Sequence, residues 1–351
     1  MAGFLANLRA RYGHDRVVDV FQNTGMEPRA RQLNIGAYVV RRVLPPERID
    51  DWHRDLTDSI TDISITHGSR AVDLRGRRGP ASYRTIQCAS GRCTCRYAYE
   101  GTVRNPVFQT ERVAPFQNVC DWLHDAYRVD RQDHFDTLVA NIYSRALNQC
   151  IVAHTDQTEL LGETSDIVSL SMGAAGLFYW HPNPTGVLRG WNRRESDRHE
   201  TERAEGLWGC VPLLPGDLFL ASGTFQHHLV HGSLSYTDAA NVHEVISQWS
   251  MCSEALSVLH SAAYQAYFDN NTPQEDRSVI TFRKIANHFP DCPELMVHGL
   301  MRTTPTFRRI ENHYTEMPPG PAAPPPPPRP QPVPEPVAPP GQGAEPPASG
   351  V

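Results

Sequence analysis

Leu214-Pro215-Gly216-Asp217-Leu218-Phe219-Leu220 runs a Pro-Gly-Asp turn straight into an apolar strand, and a hairpin later His227-His228 and His231-Gly232 return histidines to the same neighbourhood. Turn residues that feed an apolar run mark the entry of a strand. The same texture extends on both sides, from Thr137 to Phe289. Its short runs are Leu138–Tyr143, Cys150–Ala153, Ile167–Ser171, Gly176–Trp180, Asp217–Leu220, His228–His231, Val245–Met251 and Ser278–Arg283. Many short strands with turn signals between them predict an antiparallel barrel or a double-sheet jelly roll. A polar stretch of mixed charge, Pro182 to Gly206, interrupts them as a surface excursion.

Upstream the period changes. Ala37–Val40 reads as a strand, and Pro45-Pro46-Glu47 opens a helix with Ile49, Trp52, Leu56 and Ile60 on one face. Proline and an acid in the first turn suit a helix N-terminus. Thr66 to Gly101 reads as loops and a hairpin, and Val113 to Arg128 as a second helix. Met1 to Asn34 is polar and weakly patterned, with room for one short helix. Of the 30 prolines in 351 residues, sixteen fall in 318–351, a stretch that cannot build a core and reads as an extended, disordered tail. The predicted class is therefore mainly β with flanking helices (α+β), a double-stranded β-helix (jelly roll) core. Its expected parts are an extension over 1–34, one domain over 35–290 with insertions at 182–206 and 233–276, a C-terminal extension over 291–317, and the tail.

Charge is informative locally. The chain carries a net −6, which argues against coating nucleic acid nonspecifically. Yet residues 70–104 hold eight arginines (70, 75, 77, 78, 84, 92, 96 and 104) against Asp73 and Glu100, a local +6. Lys284 is the only lysine, so the basic chemistry is that of arginine, the bidentate partner of phosphate and carboxylate. There is no run of eighteen apolar residues, and the N-terminus lacks the pattern of a secretory signal. Eight cysteines in a chain this long fit a reducing compartment, cytoplasmic or nuclear. Cys88, Cys93 and Cys95, with His67 nearby, do not have the spacing of a zinc knuckle and read as ordinary thiols.

Three patterns carry chemistry. His154-Thr155-Asp156 ends an apolar run; residues i and i+2 of a strand share a face, so an imidazole and a carboxylate can reach one metal. The histidines at 227, 228 and 231 offer a second imidazole, and two histidines with one carboxylate make the facial triad of a non-haem Fe(II) site. In Arg277-Ser278-Val279-Ile280-Thr281-Phe282-Arg283, alternation puts both arginines on one face, some 20 Å apart along the strand. Turned inward they need anions, and two such side chains can converge on the ends of a small dicarboxylate. Each pattern alone also fits a plainer reading: an exposed turn, a hairpin with solvated histidines, or a strand whose arginines face water.

Taken in order, the patterns resemble the AlkB family of Fe(II)- and 2-oxoglutarate-dependent dioxygenases over roughly Ile35 to His288. An Asn-x-Tyr strand (Asn141-Ile142-Tyr143) precedes His154-Thr155-Asp156. Ser169-Leu170-Ser171-Met172-Gly173 precedes Phe178, Gly216-Asp217-Leu218 leads to His231-Gly232, and the chain closes on Thr281-Phe282-Arg283. The resemblance implies that His154, Asp156 and His231 hold Fe(2+), with His227 or His228 as alternatives to His231. Arg277 and Arg283 would clamp 2-oxoglutarate, Asn141 and Tyr143 would hydrogen-bond it, and O2 would be the oxidant. It implies that the basic segment is a substrate lid, with Arg75, Arg77, Arg78 and Arg84 on phosphates and Tyr97 and Tyr99 stacking on an extruded base. The implied activity is oxidative N-demethylation of DNA or RNA bases, yielding formaldehyde, succinate and CO2. Two departures stand out. The family's Asn in the closing motif is Val279, and about 45 residues separate His231 from Arg277, enough for Val245–Met251 to take the closing strand's slot. The same chemistry on a protein or small molecule, or a non-catalytic barrel recruiting partners, would leave much of this sequence unchanged. A monomer, no membrane contact, and SH3- or WW-type contacts through the tail are the remaining expectations.

Overall fold

A computed structural model describes residues 2–22, 25–63, 65–72, 78–89, 93, 95, 97–99, 102–104, 114–127, 135, 137–144, 149, 151–156, 161, 162, 164, 166–182, 207, 209–234, 276–286, 288 and 292. Outside them lie Arg75, Arg77, the stretches 183–206 and 235–275, and the Pro-rich tail.

Fourteen strands and five helices follow one another along these residues. The strands are β1 (Val17–Asp19), β2 (Ile35–Val40), β3 (Ile65–Val72), β4 (Arg78–Ala89), β5 (Tyr97–Tyr99), β6 (Thr102–Arg104), β7 (Thr137–Tyr143), β8 (Ile151–His154), β9 (Ile167–Gly173), β10 (Gly176–Pro182), β11 (Gly209–Leu213), β12 (Leu218–Gly223), β13 (Leu229–Leu234) and β14 (Arg277–Arg283). The helices are α1 (Ala2–Tyr12), α2 (Glu27–Gln32), α3 (Pro46–Ile63), α4 (Ala114–Tyr127) and the single turn α5 (Phe225–His228). An eight-stranded sheet has the order β1-β2-β12-β9-β14-β7-β4-β3, and a four-stranded sheet the order β11-β10-β13-β8. Every strand pair is antiparallel. This is the jelly roll expected from the turn-punctuated runs.

Along the central strands β7, β9, β12 and β14, period-two alternation sends successive side chains to opposite faces of the large sheet. Leu138, Ala140 and Ile142 of β7, Val168, Leu170 and Met172 of β9, and Ile280 and Phe282 of β14 pack with Ile49, Leu56 and Ile60 of α3 and Val119 and Leu123 of α4. Their neighbours Val139, Ile167 and Phe219 belong to the second cluster, with Phe178, Trp180 and Leu213 of the small sheet. The large sheet is thus covered on both faces, by helices on one and by the small sheet on the other. That is why β7 and β14 are buried along their whole length. The plainer reading of 277–283, with arginines facing solvent, is therefore excluded: Arg277 and Arg283 are both buried.

β14 lies between β9 and β7, with Arg277 opposite Tyr143 and Val279 opposite Asn141. The closing slot beside the Asn-x-Tyr strand is therefore filled by 277–283, not by Val245–Met251, which is outside the described residues. The turn before β12 is built as its sequence implies. Gly216 has φ +84, and the fully buried Asp217 accepts from Arg41 and from the amides of Arg42 and Leu214. The run expected as a strand over His228–His231 is split: α5 ends at His228 and β13 starts at Leu229. Residues 2–34 carry more structure than their weak pattern implies. α1 sends Leu8 into the helix-side core, and β1 extends the large sheet by pairing with β2.

Candidate metal and cosubstrate site

His154 closes β8 and His231 lies directly across from it on β13. Their ring centroids are 4.4 Å apart. Asp156 follows two residues after His154, and its Oδ2 lies 3.9 Å from His231 Nε2. Donors on one first-row metal, with bonds of about 2.0–2.2 Å, lie no further apart than about twice that length, so this pair is within joint reach. Side chains from two strands that are far apart along the chain thus converge.

The ladder geometry requires glycine next to the second histidine. The register shifts between His231 and Ser233, a local irregularity that re-aims a side chain. A Cβ at Gly232 would come within 2.4 Å of the Tyr179 ring and 2.7 Å of the Ile151 carbonyl oxygen. A side chain there would push β8, and His154 with it, away from β13.

Asp156 is fixed from two sides. Its amide donates to Gln226 Oε1 at 3.0 Å, and its Oδ1 accepts from Arg283 Nε at 3.0 Å and Nη2 at 2.7 Å. Arg277, six residues back on the same face of β14, donates through Nη1 to Ser233 Oγ at 2.7 Å and through Nη2 to Ser171 Oγ at 3.3 Å. Its guanidinium lies 5.7 Å from the centre of the Tyr143 ring. Gly176 makes room for it, since a Cβ there would sit 2.0 Å from Arg277 Nε. Asn141, Tyr143, His154, His231, Arg277 and Arg283 all line one cavity between the sheets. Phe178 stacks on His231 at 5.3 Å and forms part of the same wall. Val279, where the resembled motif has Asn, contributes an apolar patch to that wall.

The residues present fit a ferrous ion and a keto-acid. Two imidazoles and a carboxylate are the donor set of a facial triad. Among the described residues lining the cavity, Asn141 Oδ1 is buried without a hydrogen-bond partner. Leaving a buried acceptor unmet costs about 1–3 kcal/mol, so this atom marks room for a polar guest. Burial, then repulsion from His154, holds the His231 imidazole down to about 3 from its ordinary 6.5; Asp156 opposes this and Arg283 adds to it. The ring is neutral at pH 7 and can ligate.

That shift has a measurable consequence. Below about pH 6.5 the unfolded chain protonates His231 whereas the folded chain does not until about pH 3. The unfolded state therefore binds more protons, and stability drops as the pH is lowered across that window. Urea unfolding of chelator-treated protein should show midpoints dropping from pH 6.5 toward 4. A His231→Gln chain should show a shallower slope; equal slopes would contradict the assignment.

The histidine set beside His154 and Asp156 is His231. His227 and His228 lie on α5, their rings edge to face at 5.0 Å. Of the expected substrate residues, Arg78 and Arg84 are on β4, and Tyr97 and Tyr99 bound β5. β4 pairs with β7, Arg84 opposite Ile142 and Thr85 opposite Asn141. Sequence reasoning missed Gln226, Ser171 as an arginine partner, and Ser233. No periodic signal marks a glutamine in a one-turn helix.

A jelly roll that gathers two histidines and an aspartate beside inward-facing arginines defines the class of mononuclear non-haem iron oxygenases. More specifically, the chain belongs to the 2OG-Fe(II) oxygenase superfamily, whose family profile matches residues 36–283. That superfamily uses Fe(2+), 2-oxoglutarate and O2, which makes the chain an oxidoreductase of the dioxygenase type. No curated protein sequence matches the chain. Among solved structures, OsALKBH1 is similar at TM-score 0.35 and 13% identity, over 71% of this chain and 97% of that one. A Pseudomonas putida prolyl-4-hydroxylase is similar at TM-score 0.37 and 9% identity, over 74% and 98%. No described helix is long and apolar enough to cross a membrane.

Proposed function

We propose that the chain removes N-alkyl groups, methyl foremost, from nucleic-acid bases by oxidation, releasing formaldehyde, succinate and CO2. The observation that carries this reading is the placement of the arginine-rich segment. Its β3–β4 hairpin is hydrogen-bonded to β7, the strand whose Asn141 and Tyr143 line the cavity. The arginine-rich segment thus continues the same sheet as the cavity-lining strand, which supports a role for it in contacting the phosphates of a bound strand.

His154, Asp156 and His231 would hold the iron, which when bound with 2-oxoglutarate and O2 supplies the C–H oxidation. The other side chains position and exclude. Arg283 holds Asp156 through two donors on one carboxylate oxygen. Arg277, at the other end of β14, is the natural clamp for the distant carboxylate of the cosubstrate, a charge-assisted pair. Asn141 and Tyr143 would hydrogen-bond the same molecule, and Phe178 shields the His231 ring from water. Arg75, Arg77, Arg78 and Arg84 would contact phosphates, and Tyr97 and Tyr99 would stack on the extruded base. The chain would act as a monomer in cytoplasm or nucleus, its Pro-rich tail free for SH3- or WW-type contacts.

Neutralising Arg75, Arg77 and Arg78 to Gln tests the substrate class. Binding of a methylated oligonucleotide should weaken, and each arginine–phosphate pair removed should flatten the log–log salt slope by about 0.7–0.9. An unchanged slope, with succinate formation intact, would move the substrate to a protein or small molecule.

A further inference from the structure

Four soft donor groups meet at a second place that the iron chemistry does not use. Cys93, Cys95, His288 and Cys292 bring their donor atoms within 4.8 Å of one another. His288 Nδ1 lies 3.4 Å from Cys292 Sγ, 3.5 Å from Cys95 Sγ and 3.7 Å from Cys93 Sγ. Cys93 Sγ and Cys292 Sγ are 3.9 Å apart. A tetrahedron with zinc–sulfur bonds of about 2.3 Å and zinc–nitrogen bonds of about 2.0–2.1 Å has sulfur–sulfur edges near ~3.8 Å and sulfur–nitrogen edges near ~3.6 Å. These four of the six edges match this to within a few tenths of an ångström.

We propose that these four side chains form a closed, tetrahedral Cys3His site for one zinc ion. All three cysteines are buried and His288 is half-buried, so four protein ligands surround the position and leave no open coordination place, as in structural rather than catalytic zinc. All three cysteines are free thiols, and a sulfur–sulfur separation of 3.9 Å is far beyond the ~2.05 Å of a disulfide. Three thiolates select a soft or borderline ion over the harder one suited to the carboxylate–imidazole triad. The local spacing of Cys88, Cys93 and Cys95 reads as ordinary thiols because half of the ligand set is absent from that stretch. It is supplied by a His-x3-Cys pair some 195 residues later.

The location gives the ion a task. Cys93 and Cys95 follow β4, the basic hairpin strand, whereas His288 and Cys292 follow β14, which ends on Arg283. Zinc would join these two stretches covalently in effect, tying the arginine-rich segment to the strand that holds Asp156. Cys93, Cys95, Ile285 and Cys292 already belong to the inter-sheet core beside Trp180 and Leu207, so the site would extend that core rather than hang from it.

The test uses full-length protein prepared without chelator, beside a His154→Ala/His231→Ala chain in which the iron triad cannot compete. Elemental analysis should find about one zinc per chain in both, and less than about a tenth of that in a Cys93→Ser/Cys95→Ser chain. Should that last variant fail to fold, wild-type protein decides alone. Mercurial titration of its thiols should release the zinc in step, and cobalt substituted for it should show the visible bands of a tetrahedral thiolate centre. Wild-type protein that carries no zinc while its thiols react freely would overturn the proposal. So would a Cys93–Cys292 disulfide by mass spectrometry, or a six-coordinate cobalt spectrum.

Discussion

An Asp156→Ala chain should lose iron-dependent succinate formation and much of its stability at once. The turnover loss is expected to be on the order of 10³-fold or more, above the ~10–100-fold that removing a merely outer-sphere partner costs a metal site. The stability loss has a separate cause. Asp156 Oδ1 takes two bonds from Arg283, with both residues buried, and removing one partner of such a pair costs about 3–5 kcal/mol because the other charge stays in the interior. His231→Ala separates the two effects. It removes a donor that is neutral in the folded state and should abolish turnover at a much smaller cost in stability. Denaturant unfolding beside a succinate assay reads both quantities. Equal stability losses in the two variants would refute the role given to Arg283, and surviving turnover in either would refute the triad.

Arg277→Met should weaken 2-oxoglutarate binding by about 10–150-fold, the value of one charge-assisted hydrogen bond of about 1.5–3 kcal/mol. Iron affinity should barely change, because the hydrogen bonds of Arg277 go to Ser233 and Ser171 and its guanidinium lies over Tyr143. Its folding stability should change little, since losing a buried cation offsets leaving the Ser233 and Ser171 hydroxyls without their donor. Titration of 2-oxoglutarate under anaerobic conditions measures this directly. An unchanged affinity for the cosubstrate together with an abolished affinity for oligonucleotide would assign Arg277 to the substrate instead.

The parts of this architecture that were legible in the sequence are those set by period and by turn chemistry. Alternation in 277–283 correctly separated Arg277 and Arg283 from Ile280 and Phe282, although both faces prove to be buried, one under helices and one under the small sheet. Pro215-Gly216-Asp217 announced its turn because only a few residues accept a positive φ followed by a buried acid. What stayed hidden depends on pairing rather than pattern. β1 has three residues and becomes a strand only because β2 offers an edge. Gln226 reaches the Asp156 amide across 70 residues, a bond that no local spacing encodes. The Cys3His cluster is invisible for the same reason: each half is ordinary by itself, and only the fold brings the end of β4 to the end of β14.

The most direct measurement is an anaerobic titration of Fe(II) into the chain with 2-oxoglutarate present, followed by the visible charge-transfer absorption of an iron-bound keto-acid. The band is expected at one equivalent of iron in wild type, shifted to higher 2-oxoglutarate in Arg277→Met, and absent in His231→Ala. A band that survives unchanged in His231→Ala, or never forms in wild type at saturating cosubstrate, would contradict a ferrous centre built from residues 154, 156 and 231.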